Sequence, residues 1–308
     1  MPVVTASGRF VFVEGSLDAK ILGILLSGKL TVSGKFFIVQ RRGYKNTLAY
    51  EAMTVAKDGN DVCFLRDRDF DYFPPENTQQ PKQIQHKEII TKIEIPIPQK
   101  IKGIVSGWHW CRHEIENYLL TPEIVEKTSQ RRKKTNLNIN EYQDKLIKAA
   151  EKIRFYEAAR WAIGKAKFCL PPKQELYSRP VDILNKQIAI PHDCSSDAIE
   201  KWLTKTISDF YQHISDALKE ESIKQEYWHY INFFDKSFCQ DITNILVWFS
   251  GKDLLSALEP WCLAKEYQNA AAFRETLTNN LIEWLQRHPE EVCAILPEWK
   301  ALISCLQM

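Results

Sequence analysis

The first third of the chain alternates between short apolar runs and amphipathic segments, and this alternation limits the possible folds more than any other feature. Apolar runs rich in β-branched and aromatic residues predict strands, and apolar residues at three- and four-residue spacing predict helices. In order, the patterns predict a strand at 9–13, a helix that Ser16 caps and Gly28 ends, a strand at 35–40, a helix at 47–56 and a strand at 61–65. Because parallel strands need crossover connections, this order predicts an α/β fold whose parallel sheet has helices on both faces.

The next segment is less regular but completes the predicted sheet. Residues 72–100 are rich in Pro and Gln and include an alternating stretch at 89–97, which we interpret as an edge strand. A last strand is predicted at 101–105, and a helix is predicted to begin close to His113. The sheet is therefore expected to end within the first 125 residues.

The character of the chain changes beyond about residue 125. Residues 138–167 are predicted to be helical, and the stretch 196–234 carries apolar residues at three- and four-residue spacing on one face. All nine tryptophans lie at or beyond Trp108, which is typical of a helical layer packed by large aromatic side chains. We therefore predict two domains, a catalytic α/β core at 1–125 and a mainly helical region at 126–308.

The composition excludes several classes of protein. With 44% apolar and 26% charged residues, the chain is typical of globular proteins rather than disordered ones. Its apolar runs fall far short of the roughly 18 residues needed to span a bilayer, and no secretory signal pattern opens the sequence. Eight cysteines are scattered without a CxxC pair, which is typical of reduced thiols. We expect a cytoplasmic protein without a membrane partner.

Acidic side chains follow three of the predicted strands. These acids are Glu14 and Asp18 after the first strand, Asp67, Asp69 and Asp71 after the third, and Glu114 and Glu116 after the last. Ligands of open α/β sheets bind outside the carboxyl ends of the strands, so the acids should converge on one crevice. Clustered carboxylates repel one another unless a cation neutralises them, and oxygen ligands favour Mg²⁺ or Mn²⁺. The sequence therefore predicts a divalent-metal site.

Other interpretations of the same acids fit less well or stay open. A calcium loop beginning at Asp67 would need Gly and Glu where the chain has Tyr72 and Thr78. Zinc would need a second ligand pair beyond the short His and Cys cluster at 109–113, and none follows at the usual distance. Taken alone, the acids at 114 and 116 fit equally well as residues that favour the dipole of a helix N-terminus.

Basic residues offer weaker signals. Lys252 follows Gly251 but is not part of a nucleotide-binding P-loop, because Asp253 stands where that motif has Ser or Thr. It fits equally well as a solvated residue at the start of a helix. A basic run could follow a phosphate backbone, although such runs are often solvated loops. This run consists of Arg131, Arg132, Lys133 and Lys134.

Four sequence segments together resemble a known family. The segments are FVEGSLDA at 12–19, VCFLRDRDFD at 62–71, RHEIENYLL at 112–120 and SGKDLL at 250–255. The first two resemble the TOPRIM domain of topoisomerases, primases and overcoming-lysogenization-defect (OLD) nucleases, which has a Glu after its first strand and a DxD after its third. The last two resemble the OLD-like branch, in particular the stand-alone family DUF4435. The resemblance covers residues 9–125 and one later point, Gly251-Lys252.

The resemblance implies a Rossmann-like sheet and specific residue roles. It implies metal ligation by Glu14, Asp18, Asp67, Asp69, Glu114 and Glu116, catalysis by Glu14, Asp67 and Lys252, and a supporting position behind the ligands for Asp71. In the OLD-like family the acids hold two metals and the lysine faces the scissile phosphate. Such an arrangement can activate water and offset charge on the phosphorane.

The resemblance also implies a biological role. Members of this branch act as nuclease effectors of two-component anti-phage systems such as PARIS, in which a separate ABC-type ATPase regulates them. We therefore expect a Mg²⁺-dependent nuclease that cuts RNA, transfer RNA included, or DNA. A homodimer is left open as its assembly. The alternative is a catalytically silent TOPRIM-like module that binds a partner. Intact acids argue against the alternative.

Overall fold

The structure is a computed structural model, and it describes the chain in segments. The described residues are 9–27, 36–40, 45–56, 58–70, 74, 82–84, 103–130, 138–170, 181–182, 187–188 and 195–307. Their strands are β1 Arg9–Val13, β2 Phe36–Gln40, β3 Val62–Arg66, β4 Lys82–Ile84, β5 Val105–His109, β6 Val181–Asp182 and β7 Gln187–Ile188. The last two form a separate antiparallel pair.

The main sheet has the strand order β2-β1-β3-β5-β4. Strands β2, β1, β3 and β5 are parallel, and only the short edge strand β4 runs antiparallel. Val13 pairs with both Gln40 and Leu65, so the carboxyl ends of β2, β1 and β3 reach the same edge. The predicted α/β fold with a parallel sheet is confirmed. The edge strand predicted at 89–97 lies outside the described residues.

The last strand was predicted four residues too early. The apolar run at 101–105 suggested it, but β5 spans Val105–His109 and includes a Ser, a Gly and a His that lower its strand signal. Packing explains the difference. A Cβ on Gly107 would lie 2.2 Å from Cζ of the buried Phe64 on β3, so glycine is what lets this segment lie against the ring.

Thirteen α-helices lie within the described residues. The first four are α1 Ser16–Leu25, α2 Lys45–Ala56, α3 Glu116–Leu119 and α4 Pro122–Gln130. The next five are α5 Ile139–Phe168, α6 Ser196–Ala217, α7 Glu220–Phe233, α8 Ile242–Trp248 and α9 Gly251–Ala257. The last four are α10 Glu259–Ala264, α11 Ala270–Arg287, α12 Pro289–Ile295 and α13 Pro297–Gln307.

The predicted helices are confirmed in outline, but several of their boundaries differ. Asn138 caps α5 by accepting hydrogen bonds from the amides of Asn140 and Glu141, because its side-chain oxygen favours the N-cap position. The first helix is capped at Gly15 rather than by Ser16, and the helix after β5 begins at Glu116 rather than near 113. The stretch 196–234 is divided between α6 and α7, and α6 has no buried residue.

Apolar side chains cover the sheet on both faces. Val11 and Val13 of β1 point into the large core, which also contains α1 and the buried aromatic side chains of the helical region. Phe12, which alternates with them, points to a smaller core against α2. Since the larger core includes residues from Val11 to Leu306, the sheet packs against most of the described helices, whereas α6 contributes no residue to this core. The predicted domain boundary at 125/126 stays a prediction.

No helix of the described residues is both long enough and apolar enough to cross a bilayer.

Two glycine substitutions should change stability in opposite directions. Gly107→Ala should destabilise the fold by about 1–3 kcal/mol because its Cβ overpacks against Phe64. Gly23→Ala should stabilise it by about 0.5–1 kcal/mol, since Gly23 lies inside α1 and its Cβ would meet Ile38 at an ordinary 3.9 Å. Urea unfolding followed by tryptophan fluorescence measures both. Equal midpoints for the two variants would contradict this account of β5.

Candidate functional site

The first two predicted acids lie where β1 passes into α1. Glu14 follows β1, and its Oε1 lies 3.7 Å from Nε of Arg66 at the end of β3. Asp18 is buried in the first turn of α1. Its Oδ2 accepts a hydrogen bond from the Gly15 amide at 3.1 Å, and its Oδ1 accepts one from Nε1 of Trp110 at 2.7 Å. Asp18 is therefore held from two sides before any ligand binds.

The DxD segment follows β3 and is tied to the loop before α3. Oδ1 of Asp67 accepts a hydrogen bond from the Ile115 amide at 3.3 Å. The amides of Arg68 and Asp69 both donate to the carbonyl of His113, at 3.1 and 3.2 Å. Asp69 has a φ of 46°, a left-handed conformation that Asp tolerates better than most residues. These bonds fix the two acidic loops relative to each other.

Arg68, between the two aspartates, is fully buried. Its Nε donates to the Arg112 carbonyl at 3.2 Å, and its Nη2 donates to the carbonyl of Val247 in α8. Burial lowers the pKa of Arg68 to about 9, which still leaves the guanidinium charged at neutral pH. The side chain therefore joins the DxD segment to the helical region.

The acids of the third motif contact α9 and α11. Oε1 of the buried Glu114 accepts from Oγ of Ser250 at 3.0 Å and from the backbone amide of Lys252 at 2.8 Å, while its Oε2 pairs with Nζ of the same lysine. Glu116 Oε2 lies 3.7 Å from that Nζ, and its Oε1 lies 3.3 Å from Nη1 of Arg274. The structure thus brings Lys252 to the acids from a distant part of the chain.

Gly251 allows this approach. A Cβ at this position would lie 2.9 Å from both the amide nitrogen and Oδ1 of Asn117 and 3.0 Å from Cβ of Glu116. The N-terminus of α9 can therefore approach α3 this closely only with glycine at 251. Packing therefore explains the glycine at 251, and attraction to the nearby carboxylates explains the lysine at 252.

A second buried carboxyl supports the same helix start. Glu157 of α5 is fully buried, and its Oε2 accepts from the Ser250 amide at 3.3 Å. Burial raises the pKa of Glu157 well above its usual value, and a hydrogen bond with Asp253 raises it further. Sequence reasoning missed this residue. Its signal was present, since Glu157 interrupts an apolar stripe of α5 at four-residue spacing between Ile153 and Trp161.

An open cleft of about 1070 Å³ lies at the carboxyl ends of the strands. Five of the predicted residues line it, namely Glu14, Asp18, Asp67, Glu116 and Lys252. Asp69 and Glu114 do not line it. They lie with His113 in a group whose ligand atoms are all within 4.8 Å of one another, so an imidazole joins two predicted ligands. Asp71 and the basic run Arg131 to Lys134 lie outside the described residues.

Burial and the charges of neighbouring carboxylates make three carboxylates of the cleft hard to ionise. Burial raises the pKa of Asp18 to about 6, against the opposing effect of the Trp110 hydrogen bond. Burial, followed by the charges of nearby carboxylates including Asp18 and Glu14, raises the pKa of Asp67 well above its usual value. Burial also raises the pKa of Glu116. A cation would remove most of this cost.

The lysine of the cleft is held in its charged form. Burial alone would lower the pKa of Lys252, but the carboxylates of Glu114 and Glu116 raise it above its usual value. Its side chain remains 55% exposed, so the ammonium can meet a ligand in the cleft.

Comparison with known proteins does not identify a family. A scan against protein-family models finds no match, and a search of curated proteins finds no significant match either. The TOPRIM and OLD-like assignment therefore stays a prediction, and a functional proposal must stand on the residues of the cleft.

Divalent metal should stabilise the chain more at about pH 8 than at about pH 5. Because the pKa of Asp18 is raised from 3.8 to about 6, the folded chain holds a proton near pH 5 that the unfolded chain has released. The metal-free fold therefore loses the stability that this proton supplies as pH rises through 6. Over the same range, protons compete less with the metal for the carboxylate. Thermal unfolding with Mg²⁺ or with chelator at both pH values measures the effect.

The matched variants of this experiment are Asp67→Ala, which removes a ligand, and Glu200→Gln, which removes an exposed acid of α6. The stabilisation by Mg²⁺ should disappear in the first and persist in the second. At a metal concentration 100 times the dissociation constant, it should reach about 2.7 kcal/mol. Equal stabilisation at both pH values, or in both variants, would contradict a metal site in the cleft.

Proposed function

We propose that this chain is a metal-dependent nuclease that hydrolyses phosphodiester bonds. The observation that carries the proposal is the convergence of Glu14, Asp18, Asp67 and Glu116 with the charged Lys252 in one open cleft. These residues come from four separate segments. The pKa values of Asp18, Asp67, Glu116 and Lys252 are shifted by burial and by neighbouring charges, which is typical of functional sites.

The donor set fits Mg²⁺ or Mn²⁺. The acids that line the cleft offer only carboxylate oxygens, the ligands that both ions favour. Asp69 and Glu114, grouped with His113, would offer a second set of donors outside the cleft lining. Bound divalent ions would supply a water of lowered pKa and would stabilise a leaving oxygen.

The chain's own residues would prepare the site for this chemistry. Trp110 and Gly15 orient Asp18, and Arg66 lies beside Glu14, so two candidate ligands are positioned without the substrate. Lys252 places a fixed positive charge at the cleft, where it can offset charge developing on a phosphate. Preorganised groups of this kind contribute more to catalysis than groups that must reorient.

The biological part of the proposal depends on the resemblance to OLD-like proteins. It makes the chain the effector of an anti-phage defence system that cuts RNA, such as transfer RNA, or DNA, under the control of a separate ABC-type ATPase. A nuclease with an open metal cleft endangers its own cell, so control by a partner is physically sensible.

A catalytically silent module is the second candidate. Lys252 pairs with Glu114 and Arg274 lies near Glu116, so two of the acids are neutralised without a metal. A scaffold that had lost its activity could keep such pairs for stability alone. The two candidates differ in whether metal-dependent cleavage depends on the acids.

Loss of a metal ligand should abolish cleavage without unfolding the chain. We expect Glu14→Ala and Asp67→Ala to show no products above background from mixed DNA, bulk RNA and transfer RNA with Mg²⁺ or Mn²⁺. Removing one of several repelling carboxylates relieves repulsion rather than opening a core cavity, so the unfolding midpoint should not fall. Glu200→Ala is the matched control. Wild-type rates in either variant at saturating metal would contradict the metal assignment.

Removal of the lysine charge should slow turnover rather than weaken metal binding. We expect Lys252→Ala to lower kcat by about 10²–10³-fold, as loss of a transition-state contact does. Oε1 of Glu114 keeps the Ser250 hydroxyl and the backbone amide at 252 as donors, so the metal concentration giving half-maximal rate should stay nearly unchanged. Lys236→Ala, an exposed lysine away from the cleft, is the control. Unchanged kcat would make Lys252 a solvated residue at a helix start.

A further inference from the structure

One wall of the cleft is formed by α11 and the two residues before it, a segment that none of the sequence motifs includes. The cleft-lining residues of this wall run from Gln268 to Asn279 and include the exposed Arg274. The Arg274 side chain is 45% exposed, and its contact with Glu116 is a single Nη1 to Oε1 approach of 3.3 Å. Most donors of the guanidinium therefore remain available to a ligand in the cleft.

Cations from four different helices line the cleft. They are Lys20 of α1, Lys167 of α5, Lys252 of α9 and Arg274 of α11. Lys20 and Lys167 are exposed. The candidate metal ligands follow the strands at the base of the cleft, while these cations lie on the surrounding helices, where Glu275 is the one further acid among the described lining residues. The cleft therefore combines an acidic base with mainly basic walls. A ligand that bears several negative charges and reaches beyond the metal would complement this pattern.

The shape and composition of the cleft indicate how such a ligand is recognised. Its volume of about 1070 Å³ lies just above the usual range for small-molecule pockets, roughly 300–1,000 Å³, and the cleft is open. Among the described residues that line it, none is aromatic. Stacking on aromatic rings is the usual way in which proteins bind bases of single strands. Contacts to phosphates therefore suit this cleft better than contacts to bases.

We infer that Arg274, with Lys20 and Lys167, binds phosphates of a polynucleotide on either side of the bond at the metal site, without reading its bases. The inference rests on the proposed nuclease function and assigns the substrate-binding wall of that site. When Glu116 ligates a cation, its charge no longer attracts Arg274, and the guanidinium is free to bind a phosphate. Arg suits this role because its planar fork can donate two parallel hydrogen bonds to phosphate oxygens.

The test measures binding of a fluorescently labelled single-stranded oligonucleotide of mixed sequence, with Ca²⁺ in place of Mg²⁺ to suppress cleavage. Affinity is determined over a series of salt concentrations. Each lost phosphate contact should make the slope of log K against log[salt] shallower by about 0.7 for a single strand. We expect this change, with several-fold weaker binding at low salt, in Arg274→Ala.

Two other charged residues of α11 provide matched controls. Arg287 lies at the far end of the helix, is 65% exposed, and pairs with Glu283 outside the cleft, so Arg287→Ala should leave affinity and slope unchanged. Glu275 lines the cleft beside Arg274 and would repel a passing phosphate. Glu275→Gln should therefore tighten binding. Opposite effects at 274 and 275 cannot come from a general loss of fold.

Three results would overturn the inference. If Arg274→Ala changes the metal concentration for half-maximal cleavage but not the salt slope, Arg274 serves only as a partner of Glu116. If the wild-type chain cleaves and the Arg274 and Glu275 variants bind as it does, the phosphates lie elsewhere while the nuclease function stands. If the wild-type chain neither binds nor cleaves any of DNA, RNA or transfer RNA, the inference fails together with the proposed function.

Discussion

Repulsion among carboxylates at one edge of the parallel sheet is the constraint on which the rest of the site depends. The topology brings the acids after β1, β3 and β5 to this edge, and partial burial makes their charges costly. The fold reduces the cost with donors drawn from several different segments. Trp110 donates to Asp18 and Ser250 donates to Glu114. The arrangement is stable only as a set, because loss of one donor leaves a buried charge exposed to the others.

The helical region is part of the site rather than an addition to it. Arg68 connects the DxD segment to the helical region by donating to the carbonyl of Val247. Within the helical region, the Glu157 carboxylate of α5 accepts a hydrogen bond from the Ser250 amide. Both side chains are fully buried. Glu157 bonds the residue before α9, the helix that presents Lys252 to the cleft, and Arg68 holds α8 a few residues earlier. Stability of the helical layer and placement of the lysine are therefore linked, so a core substitution in α5 or α8 would also disturb the cleft.

Local patterns predicted the parts of the structure that local forces decide. β1 and β3 are buried apolar runs, and the rule that ligands bind at carboxyl strand ends placed the acids after them in one cleft. The boundaries of β5 depended on the fit of Gly107 beneath Phe64, a contact between distant segments that no propensity contains. Sequence reasoning missed Arg274 for the same reason. Its place at the cleft arises only from the packing of α11, and local sequence patterns do not contain that packing.

The cations at the cleft can serve two purposes in succession under the proposed function. Without metal, Lys252 and Arg274 lie beside Glu114 and Glu116 and reduce the repulsion that would otherwise destabilise the strand ends. With metal bound, the acids are neutralised by stronger charges, and the same cations face the cleft with unmet charge. Phosphates of a substrate would then complete the balance. Metal and substrate should therefore bind with positive coupling, because each supplies the charge that the other leaves unpaired.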